Sequence, residues 1–188
     1  DCRGNGKSSG KFEDFTITDW KKDLLDVIDN IAQGPQILIG SSMGGWLMIL
    51  AARARKKRIC GLIGLAAATD FGLNMYSQLS KKSKKELNSQ GKTKVFSNNF
   101  SYTLTKKFFK EAKKNNVLNR PFKFNKPFVL IHGLKDDVVN YKMPQKIMNN
   151  SRGKNIQIQY LKLSNHRLSE LSDLVTINNT ITLVRNLI

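Results

Sequence analysis

The sequence predicts an α/β protein built on an open, mostly parallel sheet flanked by helices, and three observations lead there. Short continuous apolar runs bounded by Gly or Pro recur along the chain, and segments of helical period lie between them. The 188 residues, 40% hydrophobic and 24% charged, suffice for one sizeable core and exclude disordered and fibrous classes. No apolar run reaches the ~18 to 20 residues of a membrane-spanning helix, so a transmembrane segment is not expected.

Taken in order, Trp20, Leu24, Leu25, Val27, Ile28 and Ile31 recur at spacings of three and four, which predicts an amphipathic helix with Thr18 as N-cap and Asp19 in its first turn. It ends at Gly34-Pro35. Gln36-Ile37-Leu38-Ile39-Gly40 reads as a fully buried parallel strand, and an apolar helix over 44–54 follows almost at once. Two further buried strands are expected at Ile59–Leu65 and at 128–132, and a more alternating one, nearer a sheet edge, at 156–163. Helices are expected at about 142–150 and 172–187, flanking that last strand. The interruption is 71–126, which shows no clear buried strand but holds nine of the sixteen aromatics: Phe71, Tyr76, Phe96, Phe100, Tyr102, Phe108, Phe109, Phe122 and Phe124. The expected organisation is therefore a core of residues 1–70 and 127–188 with a helical cap insertion at 71–126; ordinary crossover helices with a long loop are the alternative.

Charge narrows the choice of partner. The 32 basic and 14 acidic residues leave +18, which ordinarily brings nucleic acid to mind. The basic residues are 24 Lys and 8 Arg, a poor supply of the guanidinium forks that read phosphates. They are also unevenly placed: residues 53–126 hold 19 basic and three acidic residues, whereas residues 1–40 hold five and seven. Lys81-Lys82-Ser83-Lys84-Lys85 and the cluster Arg53, Arg55, Lys56, Lys57, Arg58 read more readily as solvated faces than as recognition surfaces, and nucleic acid is not the expected partner. Cys2 and Cys60 are the only cysteines, too few for a disulfide framework or a thiolate metal site, and no metal or cofactor is implied.

Gly40-Ser41-Ser42-Met43-Gly44 is a G-x-S-x-G pentapeptide at the junction of a buried strand and an apolar helix. A sharp strand-to-helix turn lifts the central hydroxyl above the sheet, and flanking glycines permit strain and close backbone approach, so Ser42 is the candidate nucleophile. The Met43 N–H at the helix's positive end can meet an oxyanion. A serine nucleophile needs a base, and only His132 and His166 exist. His132 closes a buried strand and reads as a packed, hydrogen-bonded residue; His166 lies in a loop after the last strand and is the candidate base. Between serine and histidine in chain order, Gly133-Leu134-Lys135-Asp136-Asp137 supplies the acid: Asp136 is preferred, Asp137 reads as a loop-capping carboxylate, and Asp70 is a weaker third candidate whose other role is a turn or helix cap. Four glutamates and no second carboxylate cluster leave a two-carboxylate hydrolase little to build on, and neither H-E-x-x-H nor a phosphate-cradling loop occurs.

These residues resemble the α/β-hydrolase superfamily, in particular its branch of mitochondrial palmitoyl-protein thioesterases with acyl-glucuronide esterase activity. The resemblance rests on Gly34-Pro35-Gln36-Ile37-Leu38-Ile39-Gly40-Ser41-Ser42-Met43-Gly44-Gly45-Trp46, on His132-Gly133-Leu134-Lys135-Asp136-Asp137-Val138-Val139 and on Ser164-Asn165-His166-Arg167, and runs along almost the whole chain. Asn140 stands where the family usually has proline. The resemblance implies a partial α/β-hydrolase fold with a Ser42, Asp136, His166 triad. It also implies that residues 1–8 form the loop leaving the fold's fourth strand, so that the first strands and the loop donating the second oxyanion N–H lie upstream.

The expected function is a serine hydrolase of acyl esters or thioesters, acting on small-molecule or acylated-protein substrates through an acyl-enzyme. The aromatics of 71–126 would suit a long acyl group and its lysines an anionic leaving portion; equally, the aromatics would be only the insertion's core and the lysines only solubilising. The alternatives are a non-catalytic basic module for nucleic acid or an anionic membrane surface, and another α/β-hydrolase reaction such as amide or lactone cleavage. With no positive-then-apolar leader in these residues, a cytoplasmic location is expected, a cleaved or missing leader being the alternative.

Overall fold

The protein is described by a computed structural model covering residues 1–97 and 100–188, with the side chains of Ser97 and Phe100 left aside. It divides into two compact units, Asp1–Val27 with Asp70–Asn116, and Ile28–Thr69 with Val117–Ile188.

The second unit carries the sheet: β1 (Gln36–Ser41), β2 (Ile59–Leu65), β5 (Phe128–Gly133) and β6 (Ile156–Leu161), side by side in that order and parallel throughout. Successive side chains of a strand point to opposite faces. Val129 and Ile131 accordingly join Ile63 and Val184 in one buried cluster, with Val184 supplied by α7 (Leu171–Asn186). The other face meets the apolar helix α2 (Met43–Ala54), where a Cβ on Gly64 would touch both Leu130 and Met48. Helix α6 (Met143–Asn150) precedes β6. At about 25 cal/mol per Å² of apolar surface, these fully covered central strands are the unit's main hydrophobic stabilisation.

The first unit holds the start of α1 (Ile17–Asn30), then α3 (Phe71–Gln78), α4 (Lys81–Gln90), an antiparallel pairing of β3 (Lys92–Ser97) with β4 (Phe100–Thr105), and α5 (Lys106–Lys114). Its core is aromatic: Trp20 is fully buried, with Phe12 and Phe108 ring centroids 5.0 and 6.5 Å away.

Four expectations are corrected. The helix of residues 17–30 begins before Thr18: Asp19 reaches back to accept from the Thr16 N–H and hydroxyl at 2.9 and 2.7 Å, whereas the Thr18 hydroxyl donates to Glu111. Strand β1 is not fully buried; it pairs only with β2 among the described residues, and Ile39 is 47% exposed. The stretch 71–126 is not purely helical, because it contains the antiparallel pair β3 and β4; residues 98 and 99 lie outside the described residues. The tight glycines of the serine turn are Gly40 and Gly45, where a Cβ would fall 2.3 Å from the Gly44 carbonyl oxygen and 2.5 Å from the Ala67 Cβ; Gly44 has nothing within 4 Å.

Candidate active site

Ser42 is the pivot between β1 and α2, at φ 50° and ψ −118°, outside the regions L-residues prefer. Such a residue costs on the order of 1 to 3 kcal/mol and persists only where its surroundings over-determine it. Here the Ser42 N–H donates to the Leu65 carbonyl and the Ser42 carbonyl accepts from the Gly45 and Ala68 N–H groups, each at 2.9 Å. The hydroxyl is thereby left free of capping duty. Met43 is the first residue of α2, so its N–H is one of the orphan donors at the helix's positive end.

Asp136 lies three residues beyond β5, its carboxylate fully buried. Its Oδ1 accepts from the Val138 and Val139 N–H groups at 2.9 and 2.8 Å, and its Oδ2 lies 2.8 Å from His166 Nδ1. The carboxylate can only accept, so Nδ1 carries the ring proton; Nε2 then offers its lone pair to the Ser42 hydroxyl at 3.2 Å. The three residues predicted from sequence thus meet at the C-terminal ends of β1, β5 and β6. The loop-capping task expected of Asp137 falls instead to Asp136, and Asp137 is exposed. Asp70 is the residue before α3, in the left-handed region and without a side-chain capping bond. His132 is packed and hydrogen-bonded as expected, fully buried with Nε2 3.0 Å from the Val139 carbonyl oxygen. Asn140, in place of proline, accepts from the Lys142 N–H through its side chain and from the Met143 N–H through its carbonyl.

Sequence reasoning missed what holds the histidine loop. The Ser164 hydroxyl donates to buried Asp173, whose other oxygen accepts from the Glu170 N–H, tying the loop to the first turn of α7. Leu168, at φ 50°, turns its side chain into the core under the sheet. The only sequence signal was Glu170 with Asp173 three residues on, a capping pattern. The aromatics expected to line an acyl site also divide: Phe108 is core of the first unit, Phe122 and Phe124 pack about Phe128 in the second, and Phe96 is exposed. Among the described residues no group of three or more His, Cys, Asp or Glu is placed to hold a metal ion, and no helix is long and apolar enough to cross a membrane.

A parallel sheet flanked by helices, with a strained serine on its strand-to-helix turn, is the architecture of an α/β hydrolase. Residues 1–107 match the family model described as Serine aminopeptidase, S33, and the chain belongs to that family. Over 184 residues it is 37% identical to the Homo sapiens protein named palmitoyl-protein thioesterase ABHD10, mitochondrial, covering 96% of this chain and 60% of that protein. The Bos taurus protein of the same name is 35% identical with the same coverage. The chain thus spans 60% of the length of these curated relatives. Among solved structures, alpha/beta hydrolase domain-containing protein 10 from mouse superposes with a TM-score of 0.88 at 32% identity, over 99% of this chain and 76% of that one. A putative hydrolase from Agrobacterium vitis S4 gives 0.91 at 26% identity, over 98% and 74%. These relatives correct the cytoplasmic expectation, since the curated ones are named mitochondrial. That expectation rested only on finding no positive-then-apolar pattern in these residues, which does not bear on where the protein is sent.

Proposed function

We propose that this protein is a serine hydrolase that cleaves acyl thioesters and esters, palmitoyl thioesters on proteins and acyl glucuronides among them, in the mitochondrion. The observation that carries the reading is the continuous line from the Asp136 carboxylate through the His166 imidazole to the hydroxyl of a strained Ser42. Ser42 Oγ attacks the acyl carbonyl carbon while His166 Nε2 takes its proton; Asp136 holds Nδ1–H and stabilises the imidazolium. The Met43 N–H donates to the oxyanion. His166 returns the proton to the departing thiol or alcohol as the acyl–Ser42 ester forms, then takes a proton from water, which attacks that ester and restores Ser42.

The names of the curated relatives support the thioester class, and the family's description supports an amide-bond alternative. The division of the chain into a core of 1–70 and 127–188 with 71–126 inserted belongs to the same proposal; β2 and β5 being sheet neighbours although the whole stretch separates them in sequence supports it, while residues 1–27 group with 70–116 and residues 117–126 with the sheet. A fluorophosphonate probe should label Ser42, and Ser42→Ala should abolish labelling. Palmitoyl thioester, acyl ester and aminoacyl amide substrates should then rank in that order. Absence of labelling in the folded protein overturns the reading, and preference for the amide overturns its substrate class.

A further inference from the structure

We infer that His132, which the reaction above does not use, is a positioning residue: it clamps the 136–139 turn so that Asp136 stays aimed at His166. The inference rests on the serine-hydrolase reading and adds a residue to it. His132 lies one place before the end of β5, its side chain wholly buried. Its Nε2 is 3.0 Å from the Val139 carbonyl oxygen and 3.4 Å from Asp136 Oδ2, both pure acceptors, so Nε2 carries the proton. Nδ1 is buried with no hydrogen-bond partner among the described residues. A second ring proton would therefore be a buried donor with nothing to meet, and the ring acts as a neutral single donor. Its basicity agrees: burial pushes it down, the Val139 carbonyl and Asp136 pull it up, and His166 pushes it down.

The consequence lies in what that donor holds. Val139 is gripped at its carbonyl by His132, while its N–H donates to Asp136 Oδ1 at 2.8 Å and the Val138 N–H adds a second bond at 2.9 Å. Fixing Val139 from one side thus fixes the carboxylate from the other, leaving Oδ2 to face His166 at 2.8 Å. A buried aspartate on a short turn has few other ways to keep one oxygen on target. Without the clamp, the Asp136–His166 bond loosens and the His166 imidazolium loses stabilisation.

The test is His132→Leu, which removes the donor, against His132→Gln, whose amide N–H can reach the same carbonyl. In the leucine variant kcat for a thioester should fall roughly ten- to a hundredfold with KM little changed. The acid limb of its pH–rate profile should move to lower pH, and the low-field NMR proton of His166 Nδ1–H should move upfield. Glutamine should restore most of kcat and the limb. Should the leucine variant not fold, His132→Asn, whose amide is too short, replaces it in the comparison. A loss of melting temperature with the limb and the low-field proton unmoved overturns the inference, as does a glutamine variant no better than leucine or asparagine. If wild type takes no probe at Ser42 the parent reading fails by itself, while the Nδ1–H resonance still reports whether His132 holds Asp136.

Discussion

Gly133→Ala tests the site at the point where two loops meet. Gly133 ends β5, and a Cβ there would fall 2.2 Å from the Ser164 carbonyl oxygen, 2.6 Å from its carbon and 2.8 Å from the Asn165 oxygen. All three are backbone atoms, and no side-chain rotation relieves the clash. The same Ser164 oxygen accepts from the Lys135 N–H at 3.0 Å, so the collision falls between the segment leading to Asp136 and the segment leading to His166. Restoring an ordinary contact requires a retreat of about 1 Å, and a displacement of that size in a reacting group costs about a hundredfold. The 3.2 Å approach of His166 Nε2 to the Ser42 hydroxyl has no slack to absorb it. Overpacking should also lower stability by about 1 to 3 kcal/mol. The assays are the rate of fluorophosphonate labelling, kcat on a thioester, and thermal unfolding of the same samples. Gly44→Ala is the stability control, because its Cβ meets nothing within 4 Å and alanine favours a helix by up to about 1 kcal/mol over glycine. A Gly133→Ala protein that labels within about threefold of wild type would refute the reasoning, since the clash would then relax away from the site.

Further outcomes follow from the same geometry. Asp136→Asn should lower kcat by about 10⁴ by forcing the wrong tautomer on His166, whereas Asp137→Asn should leave steady-state rates near wild type. Ser164→Ala strips buried Asp173 of its hydroxyl donor and should lower the unfolding free energy by about 1 to 3 kcal/mol, read by urea titration. His132 carries a folded-state pKa below the ordinary ~6.5, so the unfolded chain binds more protons as pH falls past that value. Stability should therefore be level with respect to this group above ~6.5 and decline on acidification below it; denaturation at several pH values should show that decline, and His132→Gln should reduce it.

Much of this was written in local patterns. The apolar runs at 36–40, 59–65 and 128–132 specified strands because continuous burial on two faces leaves no polar position, and all three form within a residue. The strand pair at 92–97 and 100–105 escaped notice although Thr93 and Leu104 are buried and Lys92 and Lys94 are exposed, because its strands are half polar and draw their burial from the aromatic core of their own unit. Strand β1 shows the converse: its composition promised burial on both sides, but among the described residues it pairs only with β2, and Ile39 is exposed.

By itself the sequence determined the class of fold and singled out Ser42, Asp136 and His166 as the candidate residues, because a strand-to-helix turn built from G-x-S-x-G is a local steric requirement and only two histidines compete for the base. Tertiary structure alone decided which atoms carry protons and which groups hold them: Asp136 serving both its own turn and His166, Ser164 bonded to Asp173, and His132 with one nitrogen committed and the other without a partner among the described residues. The physical reason is range. Propensity and periodicity act over a few neighbouring residues, whereas a buried hydrogen bond is set by whichever chain segments packing brings within about 3 Å.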